Sequence, residues 1–277
     1  MSSAPEVREL LARFNLRARK SLGQNFLIDG AALDRIVAAA DLTPAGTVLE
    51  IGPGLGALTR RLAQAAGRVI AVEIDQNLIP LLRDTLAGYS NIELVHGDIL
   101  KLDLSSLVGE SFYKVVANLP YYISAAVIRR LLEAPARPSL LILTLQLEVA
   151  QRLVAGPGEM SLLAVSVQFY GAPVIVTRIK AGSFYPAPKV DSAVVRIDVH
   201  AQPPVAVPDV DHFFAVARAG FGQKRKQLHN ALRIGLSLPA EVVEAALAKA
   251  GIDARRRAET LALEEWAALA ETLPNER

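Results

Sequence analysis

Cysteine is absent from this 277-residue chain, which excludes a disulfide framework and a thiolate metal site. Histidine is sparse: His96, His200, His212 and His229 are scattered without ligand spacing, so no metal centre is expected. Long apolar runs are missing too. The longest, Leu140 to Leu147, contains Thr144 and Gln146 and suits a buried strand, far short of the roughly 20 residues of a membrane span. Basic residues near the N-terminus are followed by neither an apolar segment nor a cleavage site, so no secretory signal is expected. Net charge is only +2, and 52% of residues are hydrophobic, which places the chain far from the disordered range. These absences predict a soluble, cytoplasmic protein with no membrane contact and no metal, holding one large core and a smaller appendage.

What is present is an alternation of strands and helices from about Thr47 to Leu153 at α/β spacing. Ahead of it, Val7, Leu10, Leu11 and Phe14 recur at i, i+3, i+4, i+7, an amphipathic helix, and Leu33, Ile36 and Val37 predict another that ends near Pro44. Strands are expected at Thr47–Ile51, Arg68–Glu73, Asn91–Val95, Tyr113–Ala117 and Ser139–Thr144, with helices between. After a Gly156-Pro157-Gly158 break, two further strands are expected at 172–179 and 193–199, joined by the Pro-rich loop Phe184-Tyr185-Pro186-Ala187-Pro188. Residues 201–208 are rich in Pro and form the expected linker. The predicted organisation is therefore a domain over 1–200, a linker over 201–208 and a helical C-terminal domain over 209–277.

Val48-Leu49-Glu50-Ile51-Gly52-Pro53-Gly54-Leu55-Gly56 is a buried strand running into a glycine-rich turn, with a helix predicted from Ala57. Glycines let the backbone approach a ligand, and a helix N-terminus offers unpaired N–H groups. The motif alone also satisfies the dinucleotide fingerprint, and Glu73, ending the next strand, would suit ribose hydroxyls of a nicotinamide cofactor or of S-adenosylmethionine. Glu50 directly before the glycine turn and Asp98 after the third strand, able to accept from an adenine amine, favour the methyl donor. Glycine turn, Glu73, Asp98 and Asn118 then fall at the ends of four successive strands, the edge where open parallel sheets bind ligands.

Asn118-Leu119-Pro120-Tyr121 matches the Asn/Asp-x-Pro-Tyr/Phe signature of enzymes that methylate an exocyclic amino group on a nucleobase. The adenine N6 lone pair is delocalised into the ring, so the nitrogen is a poor nucleophile. The Asn118 side-chain oxygen and the Leu119 carbonyl can each accept one amine hydrogen and aim the lone pair at a methyl donor. Pro120 fixes the turn, and Tyr121 can stack on a base pulled out of its helix. Phe184 either packs as aromatics before Pro commonly do or closes on the flipped base opposite Tyr121. Three basic stretches stand out: Arg13, Arg17, Arg19 and Lys20; Lys224, Arg225 and Lys226; and Arg255 to Arg257. Each could be a solvated face; beside a site for a nucleobase, the Lys224 cluster is the first candidate for tracking phosphates, with Arg17, Arg19 and Lys20 as the alternative.

The ordered set Gly23-Gln24-Asn25-Phe26-Leu27, Glu50 to Gly56, Glu73-Ile74-Asp75, Gly97-Asp98, Asn118 to Tyr121, Phe184 to Ser192 and Arg257-x-Glu259-x-Leu261 resembles the ribosomal RNA adenine dimethyltransferase family nearly end to end, specifically its small-subunit (16S) dimethyladenosine transferase branch. The resemblance implies a Rossmann-like S-adenosylmethionine-dependent methyltransferase domain with a small all-helical C-terminal domain. It implies N6,N6-dimethylation of two adjacent adenosines in the 3′-terminal hairpin loop of 16S rRNA, within an immature 30S-type subunit, by a monomer. Carried over by residue, Asn25 and Leu27 lie against the donor, and Gly52, with Gly54 and Gly56 in the same turn, lines its methionine end. Glu73 holds the ribose, Asp98 the adenine, and Asn118 bridges donor and target. Two positions depart from the family pattern: Leu147 stands where Lys is frequent, and Lys224 replaces an Arg. The alternatives are a large-subunit rRNA adenine dimethylase of the macrolide-resistance type, where Ile usually stands in place of Leu119, and an RNA-binding assembly checkpoint factor.

Overall fold

The computed structural model describes residues 3–109 and 112–275, which divide into two compact units, Met1–Ala150 with Ala172–Val199, and Gln151–Gly171 with His200–Arg277. In chain order the first stretch contains α1 (Ala4–Arg13), β1 (Phe26–Leu27), α2 (Gly30–Ala39), β2 (Thr47–Ile51), α3 (Ala57–Ala65), β3 (Arg68–Glu73), α4 (Ile79–Leu86), β4 (Ile92–His96), α5 (Leu104–Val108), β5 (Tyr113–Asn118), α6 (Ser124–Glu133) and β6 (Leu140–Gln146). Then follow α7 (Leu147–Leu153), α8 (Leu162–Tyr170), β7 (Gly171–Ile179), β8 (Phe184–Tyr185), β9 (Ser192–Val199), α9 (Val210–Phe221), α10 (Leu228–Leu236), α11 (Ala240–Lys249) and α12 (Leu263–Thr272).

The first unit is built on a seven-stranded sheet in the order β4-β3-β2-β5-β6-β9-β7. The pairs from β4 to β6 are parallel, and β9 returns antiparallel along β6. Central β2 is buried at every position, as a strand flanked by two others and covered on both faces requires. Its Val48 packs with Leu33, Ile36, Leu58 and Leu62 from α2 and α3. Strand order reverses between β2 and β5, since β3 and β4 lie to one side of β2 and later strands to the other. Ligands of open α/β sheets bind at such a switch point, outside the carboxyl ends of the strands. A separate two-stranded antiparallel ladder, β1 with β8, brings Leu27 opposite Phe184 and Phe26 opposite Tyr185.

In the second unit Phe169 and Tyr170 of α8 pack on Phe213 and Phe214 of α9, with Phe169 and Phe213 stacked at 4.9 Å between ring centroids. That aromatic cluster is the physical reason residues 151–171, expected from sequence in the first domain, group with residues 200–277. Trp266 of α12 is fully buried against Gly220, where a Cβ would come within 2.4 Å of the indole, so only glycine admits the ring there. Residues 201–208 are irregular and belong to the second unit, with Val205 buried. No helix among the described residues is long and apolar enough to cross a membrane, and no group of His, Cys, Asp or Glu among them is arranged to hold a metal ion.

Candidate active site

The carboxyl ends of β2, β3, β4 and β5 open into a cavity of about 350 Å³, of the size that takes a small-molecule ligand. Gly52 to Leu55 follow β2, Glu73 ends β3, Gly97 and Asp98 follow β4, and Asn118 to Ile123 continue from β5. From the N-terminal segment Gly23 to Leu27 contribute, and from the ladder Phe184. Asn25, Leu27, Gly52, Gly54, Glu73, Asp98, Asn118, Leu119, Pro120, Tyr121 and Phe184, singled out from sequence, therefore meet at one cavity. Gly56 does not line it. At φ +78° it serves instead as the left-handed residue before α3, packed against Leu86.

The glycine turn is shaped by what covers it. Gly54 has φ +58°, and a Cβ there would lie 3.0 Å from the Phe26 ring, so glycine is required by both conformation and contact. The segment carrying Phe26 is a strap whose ends are fastened differently. Downstream, β1 pairs with β8 and the Ile28 N–H donates to the Ser183 carbonyl at 2.9 Å. Upstream, Gln24 Nε2 donates to Asp75 Oδ2 at 2.8 Å, and Arg19 Nη1 reaches Asp75 Oδ1 at 3.1 Å. Arg19, expected among the phosphate contacts, is thus paired with a carboxylate; Arg17 and Lys20 are exposed.

Three buried carboxylates stand at or behind the cavity wall in different states. Glu50 is 1% exposed, and burial pushes its pKa up to about 8, eased by nearby Thr59 and reinforced by the charge of Glu73. Neither Glu50 Oε2 nor Thr59 Oγ1 completes a hydrogen bond of good geometry, so a buried carboxylate oxygen is left without a partner. Burial also raises Glu73, against the pull of backbone N–H groups of Asp75, Gly54 and Ile74; the Asp75 N–H donates to Glu73 Oε1 at 2.8 Å. Asp75 is opposed by burial as well, yet hydrogen bonds from Gln24, Asn77 and Arg19 hold it below the usual carboxylate range. Asp98 sits in the turn after β4, its Oδ1 accepting the Leu100 N–H at 3.0 Å.

At the end of β5, Asn118 Nδ2 donates to the backbone carbonyl of Asn25 at 3.1 Å. With the NH₂ so engaged, the amide presents its oxygen as the other end. Leu119 is anchored by its N–H to the Thr144 carbonyl at 3.3 Å. Tyr121 is held by Ser192, oxygen to oxygen at 2.9 Å, and burial raises its phenol pKa, partly offset by that hydrogen bond. Phe184 is only 3% exposed and packs into the core beside Leu27 while still facing the cavity. Glu50, which the sequence marks only as favouring the methyl donor, carries no predicted contact, and neither do Gln24, Asp75 or the exposed Tyr122 at the rim. The first three lie inside the motifs themselves; the signal was present as residue type, but only the fold shows what each carboxylate faces.

In the second unit Lys224, Arg225 and Lys226 are all exposed in the turn between α9 and α10. Arg255 is paired with Asp253 and Arg256 with Glu265, so those two members of the third basic stretch are engaged within the unit.

Residues 15–275 match the protein family described as Ribosomal RNA adenine dimethylase. The chain is 49% identical over 272 residues to Ribosomal RNA small subunit methyltransferase A of Dehalococcoides mccartyi (strain CBDB1), covering 96% of this chain and 93% of that protein. Among solved structures it is similar to the 23S rRNA methyltransferase ErmE, with TM-score 0.72 and 32% identity over 90% of this chain and 99% of that one. It is also similar to a dimethyladenosine transferase from Plasmodium falciparum, with TM-score 0.76 and 27% identity over 88% of this chain and 95% of that one.

Proposed function

Because the chain belongs to the ribosomal RNA adenine dimethylase family, we propose that it dimethylates N6 of two adjacent adenosines in the 3′-terminal hairpin loop of small-subunit (16S) rRNA, with S-adenosylmethionine as donor. It does so as a cytoplasmic monomer acting on an immature small subunit. The observation that carries this reading is Asn118 itself, which lines the cavity at the end of β5 with its NH₂ engaged by the Asn25 carbonyl, so that the amide's remaining group is an acceptor.

The cavity suits the donor. A partnerless carboxylate oxygen on Glu50 and the nearby Glu73 favour a ligand bearing positive charge, and the glycine turn before α3 offers backbone N–H groups to its carboxylate. Glu73 would hold the ribose hydroxyls and Asp98 the adenine amine, with Asn25, Leu27, Gly52 and Gly54 along the rest. Bound S-adenosylmethionine supplies a sulfonium methyl, with sulfur departing neutral as the new C–N bond forms. Asn118 Oδ1 and the Leu119 carbonyl accept the two amine hydrogens and keep the nitrogen lone pair on line. Tyr121 and Phe184 would enclose the extruded base. Methyl transfer leaves an acidic ammonium-like nitrogen whose proton goes to water, so no residue need act as a strong base. Rate enhancement then comes from positioning and exclusion of water.

Mass spectrometry of rRNA after incubating immature small subunits with the protein and labelled donor tests the reading. N6,N6-dimethyladenosine at two adjacent positions of small-subunit rRNA is expected. Label confined to large-subunit rRNA would replace it with the resistance-type activity, and RNA binding without methylation would favour a checkpoint role.

Two variants probe the parts. Glu73→Ala should weaken S-adenosylhomocysteine by about 1.5–3 kcal/mol in calorimetry, the worth of hydrogen bonds to a charged group. Nicotinamide dinucleotides should not bind. Changing Lys224, Arg225 and Lys226 together to Ala should flatten the plot of log affinity for RNA against log salt by about 0.7–0.9 for each phosphate no longer neutralised. Saturating substrate should restore most of the turnover. An unchanged slope would make that turn a solvated surface and return the phosphate track to Arg17 and Lys20.

A further inference from the structure

We propose that Gln24 and Asp75 are positioning residues for methyl transfer, forming a clasp that keeps the N-terminal strap seated and thereby sets the orientation of the Asn118 amide. The inference rests on the adenine dimethylation reading of the site and adds to it two residues that act through the strap, Gln24 at the cavity wall and Asp75 behind it.

The contacts form one continuous path. Asp75 is 3% exposed, and its carboxylate is fully engaged: Oδ2 accepts from Gln24 Nε2 at 2.8 Å, while Oδ1 takes Arg19 at 3.1 Å and the Asn77 side chain at 3.0 Å. Its own N–H donates to Glu73 Oε1 at 2.8 Å, so the clasp is built onto the residue proposed to hold the ribose. On the strap, Gln24 Oε1 receives the Arg19 N–H at 2.8 Å, closing a loop around Gly23, whose φ of +62° makes the turn. The next residue, Asn25, offers the carbonyl that receives Asn118 Nδ2 at 3.1 Å. Because Gln24 and Asn25 are adjacent, any withdrawal of Gln24 from Asp75 carries that carbonyl with it.

Besides the clasp, the strap is seated by Phe26 and Leu27, both buried in core clusters on the downstream side of Asn25. The β1–β8 ladder is two residue pairs long, too short to be stable alone. A terminal amide can rotate by half a turn, and what selects between its two orientations is hydrogen bonding. With the Asn25 carbonyl in place, the Asn118 NH₂ points to the strap and the oxygen to the substrate amine. Without it, the NH₂ can turn toward the amine, where donor meets donor. The second methyl transfer suffers more, because a monomethylated amine has one hydrogen left to hold and cannot fall back on a second grip.

The test is the full-length protein with Gln24→Ala, Gln24→Glu and Gln24→Glu combined with Asp75→Asn, each assayed on immature small subunits beside wild type and Asn118→Ala. The readouts are kcat at saturating donor and subunits, KM for the donor, and the ratio of mono- to dimethyladenosine. Gln24→Ala and Gln24→Glu should lower kcat by about tenfold or more, as misplacement at a reacting centre does, and should accumulate monomethyladenosine. In the double variant the roles are exchanged: the amide introduced at position 75 can donate to the carboxylate introduced at position 24, and the product ratio should move back toward wild type. Wild-type kcat and product ratio in Gln24→Ala, a rise in donor KM alone, or a lower kcat with an unchanged ratio would each overturn the clasp. Those results leave wild-type dimethylation intact, whereas a wild type that makes no dimethyladenosine fails the underlying reading itself.

Discussion

Asn118→Ala is expected to lower turnover by about 10²–10³-fold, the usual consequence of removing one well-aimed hydrogen-bonding group from a reacting centre. In the proposed mechanism the wild-type side chain joins two tasks through one planar amide: its NH₂ is fixed by the Asn25 carbonyl at 3.1 Å, and its oxygen accepts from the substrate amine. Alanine removes both. Stability should change little, since Asn118 is the last residue of β5 and is only half-buried, and the strand's ladder to β2 and β6 is made by backbone groups. Donor binding should also change less than turnover, because Glu73, Asp98 and the glycine turn remain. Rapid-quench single-turnover kinetics with saturating donor and subunits is the decisive measurement. A variant that folds, binds both ligands and turns over at near-normal rate would show the Asn-Leu-Pro-Tyr segment to be a structural turn. A variant that merely raises donor KM would move Asn118 from the reacting amine to the donor pocket.

Much of this architecture is legible in the chain because local chemistry and global position agree there. Val48–Ile51 is an apolar run broken only by Glu50, and with Thr47 it becomes the central strand that such a run requires. Glycines at 52 and 54 stand where the backbone takes a positive φ, and Asp29 caps α2 by accepting the Ala32 N–H. What stays hidden is long-range. The strands of the β1–β8 ladder are two residues each, too short to show any periodicity. The helix α8 is apolar on nearly all sides, because it is buried between partners, and so lacks the amphipathic pattern that marks α1. Its attachment to the C-terminal unit depends on Phe169 meeting Phe213, which no local signal announces. Gln24 and Asp75 are 51 residues apart, and neither residue type predicts the other.

Glu50→Gln should change how stability depends on pH by more than any other single substitution at the site. The wild-type carboxyl titrates near 4.5 when solvated and at about 8 in the fold, because burial disfavours its charged form, with Thr59 and the Glu73 charge as smaller influences. A raised folded-state value means the folded protein binds the proton more tightly than the unfolded chain. Its contribution is therefore fully present below pH 4.5 and is lost as pH climbs through about 8. At about 1.4 kcal/mol per unit of separation, the loss is on the order of 3–5 kcal/mol. Glutamine cannot ionise, so the variant's advantage over wild type in urea denaturation should grow by about that amount between pH 4.5 and 8.5, isolating Glu50 from Glu73 and Asp75, which are common to both proteins. The same carboxyl should couple to the donor. A cationic ligand bound beside Glu50, which lines the cavity, favours the ionised form, so binding at pH 7 should release a proton, and affinity should rise with pH until Glu50 is ionised in the free protein. Calorimetry in two buffers of different ionisation enthalpy measures that release directly. Its persistence in Glu50→Gln would assign the proton to Glu73 instead; its absence from wild type, together with a pH-independent stability difference, would mean that Glu50 is already ionised in the fold and paired by a group of this protein rather than by the donor.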